Sequence, residues 1–154
     1  MPGFISDGGK NRVQTLLERA ATVRAGDDMI ASMKIMNRND AHVINTRHGS
    51  EIRPLIDRTT SEITRCSLAE ETLWPGQAVT PHHHREIEEI YYIISGRGVM
   101  RVGDEKREVT AGDAIYVPRE SRHTLENTGT EPIKLLLVCG PAFFYEDEVL
   151  DAQD

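Results

Sequence analysis

The sequence predicts an all-β fold, a sandwich or small barrel, preceded by a short N-terminal α-helical segment. From Ala41 onward, short runs of β-branched, aromatic and aliphatic residues alternate with turn residues at even spacing. No helical pattern separates these runs, which is typical of double-sheet sandwiches and barrels. With 154 residues, the chain is long enough for one domain with a real core and one short extra element.

The first forty residues have a different pattern, and we predict an N-terminal extension over 1–40. Its apolar residues follow the spacing of one helical face, at Val13, Leu16, Leu17, Ala20 and Ala21. Arg24 suits the last turn of a helix and Gly26 suits its stop, so we expect a helix over about 10–25. The alternative is a loosely ordered extension, because a shorter chain could start at Met29, Met33 or Met36.

The barrel is predicted over 41–146. Residues with high β propensity mark its strand candidates, at 42–45, 62–73, 90–94, 99–102, 106–109, 114–117 and 133–139. Turn-forming residues separate them at 74–77, 95–98, 103–105 and 127–129. The pair Gly103-Asp104 between two strand candidates is a hairpin signal.

The charge of the chain argues against nucleic-acid binding. A net charge of −7 is wrong for a protein that needs a basic face, and 5% aromatic residues make a base-stacking surface improbable. Acidic residues are concentrated after the last basic residue, Lys134. We therefore expect 147–154 to be a solvated acidic C-terminal tail.

Other composition features favour a cytoplasmic protein. The sequence contains no stretch that approaches the roughly 18 apolar residues of a membrane span, and no apolar region of a signal peptide over 1–11. Its two cysteines fit neither a CxxC pair nor a disulfide framework. Cys139 ends an apolar run and is expected to be a small buried strand residue, and a bond between Cys66 and Cys139 stays open.

The run His82-His83-His84 is the strongest chemical signal in the sequence. In an extended strand, side chains alternate between faces, so His82 and His84 project together while His83 points away. Two histidines on one strand do not complete a metal site. Glu89, after a short turn, and His123, from a distant strand, would supply the other ligands. Because imidazole and carboxylate suit borderline first-row transition metals, the sequence predicts a site for such an ion.

Two sequence blocks around these residues resemble the motifs of the cupin superfamily. They are Gly76-x5-His82-x-His84-x4-Glu89-x6-Gly96 and Gly112-x5-Pro118-x-Glu120-x2-His123-x3-Asn127. The resemblance covers residues 55–144 and implies a small single-domain protein, a monocupin, with a double-stranded β-helix, or jelly-roll barrel. It also implies one divalent transition metal per chain, bound by His82, His84, Glu89 and His123. Cupins usually have Gly where this chain has Glu120, which leaves the geometry of that turn open.

Strand alternation predicts which side chains line the barrel. If Glu89 points inward, Tyr91 and Ile93 do so as well, and the opposite face carries Ile90, Tyr92 and Ile94. This second face is unusually apolar for a solvent-exposed sheet. We expect the N-terminal segment or a second subunit to cover it, and therefore predict a homodimer.

Three further positions concern the same interior. Because every second residue of a strand shares a face, Asn127 is predicted to point inward with His123. We expect Asn127 to fix a turn rather than contact a substrate. The strand over 62–73 has two possible phases, one with Arg65, Ser67, Ala69 and Glu71 inward and one with Thr64, Cys66, Leu68 and Glu70 inward. Arg101 is expected to be a solvated strand residue, and the alternative is an inward anion-binding role.

The predicted function is that of a metal-dependent enzyme acting on a small oxygen-bearing substrate. Three histidines and a carboxylate around a six-coordinate ion leave two positions open, as in catalytic rather than structural sites. Iron, manganese, nickel, copper and zinc all suit these ligands. The chemistry would be oxidative cleavage by a dioxygenase or proton transfer by an isomerase or lyase, and the resemblance does not choose between them, since small cupins include all three. The alternative function is a non-catalytic small-molecule-binding or sensor protein.

Tyr91 is the candidate catalytic residue. On a strand it shares the face of Glu89 at a distance of roughly 7 Å, within reach of a molecule held at the metal site. A neighbouring cation would favour its phenolate form, so the hydroxyl could serve as a general base. The alternative interpretation is a core aromatic that lines the barrel.

Overall fold

The computed structural model describes residues 33–46 and 49–151, and its strands all lie in the compact unit Lys34–Asp154. The strands are β1 Ile44–Asn45, β2 Glu51–Ile56, β3 Ser67–Leu73, β4 His82–His84, β5 Glu88–Ser95, β6 Arg97–Val102, β7 Glu105–Thr110, β8 Ala114–Val117, β9 His123–Glu126, β10 Ile133–Gly140 and β11 Glu148–Leu150. A short 3-10 turn, Tyr145–Asp147, precedes β11. The helix predicted over 10–25 lies outside the described residues.

The strands form two antiparallel sheets. One sheet has six strands in the order β1-β2-β3-β10-β5-β8, and the other has five in the order β11-β4-β9-β6-β7. Strands that follow one another in the chain often lie in different sheets, so the chain passes repeatedly between the two layers. This is the jelly-roll, or double-stranded β-helix, arrangement, and it confirms the predicted fold class.

The core lies between the two sheets. In β5 burial alternates strictly, with Glu89, Tyr91 and Ile93 buried and their neighbours exposed. Ile93 from one sheet and Leu125 from the other are fully buried in the same apolar cluster. Each such side chain contributes about 1.5–3 kcal/mol through burial. The phase predicted from Glu89 is therefore confirmed.

Strand ends differ from the prediction where local polar contacts intervene. The candidate over 62–73 begins only at Ser67. Before it, the Asp57 carboxylate accepts hydrogen bonds from the backbone N–H groups of Thr59 and Thr60, which closes a turn.

The strand β2 was not predicted, because Pro54 within it cannot donate to a ladder. The β2–β3 pairing has a register shift immediately after this proline.

The phase of β3 is now determined. Glu71 is 2% exposed, and Ala69 packs against the core cluster, so the phase with Ser67, Ala69 and Glu71 inward is the observed one. Glu70 lies on the outer face, where both of its carboxylate oxygens accept hydrogen bonds from Arg38 Nε, at 3.0 and 2.9 Å.

The expectation of a solvated acidic tail is wrong for residues 147–151. Asp147 is 2% exposed, and β11 pairs with β4, placing Val149 opposite His83. The segment joins the sheet because its backbone pairs with the edge of β4. Acidic composition alone did not reveal this pairing.

Three smaller predictions concern Asn127, the two cysteines and Arg101. Asn127 fixes a turn as predicted, since its Nδ2 donates to the carbonyls of Leu73 and Glu131 and its Oδ1 accepts from the Gly129 N–H. Both cysteines are free, with Cys139 buried in β10 and Cys66 exposed. The Arg101 side chain is exposed on the outer face of β6.

The described residues contain no candidate for a membrane-spanning helix. Across residues 33–46 and 49–151, there is no helix with the length and apolar character that a bilayer crossing requires.

The outer face of the six-stranded sheet carries an apolar patch on β5 and β8. Ile90, Tyr92 and Ile94 are 44%, 44% and 45% exposed, and Tyr116, which pairs with Ile90 from β8, is 57% exposed. Large apolar side chains concentrated on one face of a single chain are typical of an interaction surface. The prediction of a homodimer rests on this face.

We expect Tyr92→Glu to shift a dimer to monomers, because a carboxylate buried in an apolar interface without a partner is costly. Light scattering coupled to size exclusion measures the change. Thr110→Glu adds the same charge to an exposed position of the other sheet and should leave the assembly intact. A wild-type protein that is monomeric at all concentrations would contradict the prediction.

Candidate metal centre

Four buried side chains converge between the two sheets. His82 and His84 come from β4, His123 comes from β9, and Glu89 comes from β5 in the facing sheet. Each offers a ligand atom, and these atoms all lie within 4.8 Å of one another. The pairing of β4 with β9 places His82 opposite His123. The structure thus brings together all four residues predicted as ligands, and the cluster could hold a metal ion.

The alternation predicted for the histidine run is observed. His82 and His84 are 8% and 3% exposed and face the cluster. His83 faces the other way, where its Nδ1 lies 3.0 Å from the Asp151 carboxylate. One strand therefore contributes two of its three histidines to the site.

Hydrogen bonds determine which nitrogen of each ring faces the centre. The Nδ1 atoms of His82 and His123 lie 2.8 and 2.9 Å from the carbonyl oxygens of Thr80 and Ser121. A carbonyl oxygen only accepts, so each Nδ1 carries a proton, and in the neutral ring Nε2 keeps its lone pair. The Nδ1 of His84 is committed in the same way to Asp147, at 3.2 Å. All three Nε2 atoms are thereby prepared to bind a cation.

The centre also contains an electrostatic conflict that a cation would remove. His123 Nε2 and Glu89 Oε2 lie 3.0 Å apart, and His84 Nε2 and Glu89 Oε1 lie 3.6 Å apart. Among the residues that the structure describes, neither His123 Nε2 nor Glu89 Oε2 has a hydrogen-bond partner. Lone pairs that face a buried carboxylate at this distance repel each other unless a proton or a metal ion lies between them. The residues present therefore fit a divalent transition metal.

The protonation states favour metal binding. Burial, followed by the nearby charge of His123, lowers the pKa of His82 to about 4, so this ring is neutral at neutral pH. Burial acts to raise the pKa of Glu89, but the facing imidazoles bring that pKa below its usual value when they carry a proton, through a hydrogen bond from His123 and the positive charges of the rings. A neutral imidazole beside an ionised carboxylate is the form that metal ligands require.

Cys139 belongs to the surroundings of the site, a role that sequence analysis missed. Its thiol donates to Glu89 Oε1 at 3.3 Å, and burial raises its pKa, so the thiol keeps its proton. Cys139 lies opposite Glu89 in the β10–β5 ladder. This relation could be recognised only once the pairing of these two distant strands was known.

Tyr91 lies on the ligand face, as predicted. It is 2% exposed, and its ring meets that of His123 edge to face at 6.0 Å. Burial, followed by the charges of Glu89 and Glu71, raises its pKa well above the usual value. The hydroxyl therefore carries its proton at neutral pH, and a general-base role requires a cation that offsets these effects.

The turn before His123 has a left-handed residue at Glu120, the position at which cupins usually have Gly. This residue has φ of 60°, in the left-handed region that favours glycine. Its backbone N–H donates to the His84 carbonyl at 2.5 Å, which connects the turn to β4. A non-glycine residue in this conformation costs on the order of 1 kcal/mol.

Comparisons with known proteins agree with this geometry. The family model described as a cupin domain matches residues 69–139. The uncharacterized protein MJ1618 of Methanocaldococcus jannaschii is 41% identical over 107 residues, which are 69% of this chain and 86% of that protein. The tetracenomycin polyketide synthase protein TcmJ of Streptomyces glaucescens is 32% identical over 95 residues, which are 62% of this chain and 64% of that protein.

Solved structures have the same architecture. A predicted oxalate decarboxylase from Thermotoga maritima superimposes with a TM-score of 0.62 and 26% identity, over 70% of this chain and 98% of that chain. The polyketide cyclase RemF from Streptomyces resistomycificus superimposes with a TM-score of 0.61 and 26% identity, over 75% of this chain and 89% of that chain.

Replacing His82, His84 or His123 singly with Ala should remove most of the bound metal, because each substitution deletes one inward Nε2 lone pair. Metal analysis of the purified proteins measures the change. His83→Ala is the matched control on the same strand and should retain full metal content. The assignment fails if His83→Ala empties the site or if His84→Ala leaves it full.

The metal-free protein should lose stability as the pH falls from about 6.5 to about 4. In the unfolded chain an imidazole binds a proton near pH 6.5, whereas His82 in the fold resists protonation until about pH 4. Within this window the unfolded state binds more protons, so the free energy of unfolding falls, by on the order of 3 kcal/mol for this residue. Glu89, whose pKa is also lowered, acts in the same direction at still lower pH.

Urea unfolding across this pH range measures the loss. In His82→Gln, which cannot titrate, the decline should be shallower than in the wild type. Identical pH profiles for the two proteins would contradict the assignment of His82.

Proposed function

Because the chain belongs to the cupin superfamily, we propose that it is a divalent-metal-dependent enzyme that transfers a proton on a small oxygen-bearing substrate. The observation that carries this proposal is the convergence of three Nε2 lone pairs and an ionised carboxylate on one buried point. His82, His84, Glu89 and His123 would hold the ion. When bound, the ion supplies a Lewis acid that polarises a carboxylate, carbonyl or enolate oxygen.

The residues around the ligands favour proton transfer over oxidative cleavage. The Cys139 thiol donates to Glu89 and the Tyr91 ring lies against His123, and both groups keep their protons at neutral pH. Burial of the four ligands excludes most water, which strengthens each electrostatic interaction with a substrate.

The similar structures support an enzymatic role. One of the two is a polyketide cyclase and the other is a predicted oxalate decarboxylase. The same fold thus supports different reactions.

Anaerobic solvent-exchange measurements test this proposal. The protein is loaded separately with manganese, iron, nickel or zinc and incubated in deuterated buffer with oxalate, 2-oxo acids and 1,3-dicarbonyl compounds. We expect metal-dependent deuterium incorporation or isomerisation of one compound class, observed by NMR, with His83→Ala active and His123→Ala inactive.

Two outcomes would contradict the proposal. Turnover that occurs only after air is admitted, with matching consumption of oxygen, would identify the oxidative alternative. Metal-dependent binding of a compound, detected by a thermal shift, without turnover of any compound class would instead support a non-catalytic binding protein.

Tyr91→Phe tests the proposed catalytic hydroxyl, since it keeps the ring against His123 and removes only the oxygen. If the hydroxyl exchanges a proton with the substrate, turnover should fall by about 10²-fold or more with metal content unchanged. Steady-state kinetics on metal-loaded protein measures the effect. Turnover within a few-fold of the wild type would show that Tyr91 serves only in packing.

A further inference from the structure

Asp147, at the end of the 3-10 turn before β11, makes several contacts with the connection between β4 and β5. Its carboxylate Oδ1 accepts from the Glu86 N–H at 2.8 Å, and its Oδ2 accepts from the Ile87 N–H at 3.2 Å. Its backbone carbonyl accepts from the Arg85 N–H at 3.3 Å. One buried residue thus binds three consecutive amides of the segment that joins two of the metal-ligand strands.

The same carboxylate also orients the imidazole ring of His84. Oδ2 of Asp147 lies 3.2 Å from His84 Nδ1. The corresponding bonds of His82 and His123 go to backbone carbonyls two residues earlier in the chain, which every residue type supplies. Among the three histidines that face the centre, His84 alone has its Nδ1 hydrogen bond to a side chain. A single substitution can therefore release this ring and leave the other two in place.

We propose that Asp147 is a positioning residue of the metal site: it holds His84 in the tautomer whose Nε2 lone pair faces the centre, and it fixes the turn that separates His84 from Glu89. The inference rests on the proposed metal-binding function. Without this carboxylate the imidazole is free to place its proton on either nitrogen, and the Nε2–H form cannot bind a metal.

The pairing of β11 with β4 holds Asp147 in this position. Glu148 pairs with His84, and the following strand residues continue along β4. Phe143, just before the 3-10 turn, places its ring edge to face with that of His84 at 6.1 Å. The acidic C-terminal segment is therefore a support for the histidine strand rather than a solubilising tail.

Asp147→Asn is the test, because it keeps the size of the side chain and removes the charge. Two control variants remove the same charge nearby. Glu146→Gln alters the adjacent exposed residue, and Asp151→Asn alters the carboxylate that contacts the outward-facing His83. The first readout is the tautomer of each histidine, from ¹⁵N NMR of the metal-free protein at about pH 8, where a free imidazole is neutral. The second is the dissociation constant for Co²⁺, with the visible absorption spectrum of the complex.

We expect His84 in Asp147→Asn to lose its pure Nδ1–H tautomer, while His82 and His123 keep theirs. Co²⁺ binding should weaken by about 10- to 100-fold, with an altered spectrum, and both controls should match the wild type. Asp147→Glu, which restores the charge, should recover part of the affinity. Wild-type tautomer and affinity in Asp147→Asn would overturn the proposal.

The wild-type tautomer keeps the proposal testable if Asp147→Asn does not fold. His84 in the metal-free wild type must carry its proton on Nδ1, and an Nε2–H tautomer would overturn the inference. Failure of the wild type to bind Co²⁺ would count against the proposed function alone, since the tautomer comparison is made without metal.

Discussion

The structure depends on one electrostatic arrangement, in which three imidazole lone pairs and a carboxylate face one another in a buried space. Each histidine has its Nδ1 committed to an acceptor outside the centre, so none can turn its proton toward Glu89 without breaking a hydrogen bond. The 3.0 Å separation of His123 Nε2 and Glu89 Oε2 is then favourable only with a cation or an added proton between them. The proposed chemistry follows from this constraint.

The jelly roll is suited to building such a centre. Alternation along β4 turns two histidines inward, pairing with β9 adds a third from the same sheet, and β5 presents Glu89 from the opposite sheet. The ligands are therefore held by backbone ladders rather than by loops, and their separation is set by the spacing of the two sheets. The hydrogen bonds of Cys139 and Asp147 then fix the orientation of Glu89 and His84, respectively.

The sequence predicted those features of the site that depend on the alternation of side chains along a single strand. Alternation was sufficient to place His82 with His84 and Tyr91 with Glu89, and the resemblance to the two cupin motifs joined Glu89 and His123 to the histidine pair. Features that depend on distant pairing could not be read in this way. The contact of Cys139 with Glu89 requires the β10–β5 ladder. Asp147 was one acid among several near the end of the chain, and only the pairing of β11 with β4 distinguishes it. The local strand pattern concealed β2 because it contains Pro54.

The central claim is that one divalent ion binds between His82, His84, Glu89 and His123. Anomalous diffraction from crystals loaded with Co²⁺, recorded at the absorption edge of that metal, tests it most directly. We expect one strong peak within bonding distance of three Nε2 atoms and an oxygen of Glu89. A peak bonded to His83 or to the Cys139 sulfur, or no peak at this position in fully loaded protein, would contradict it.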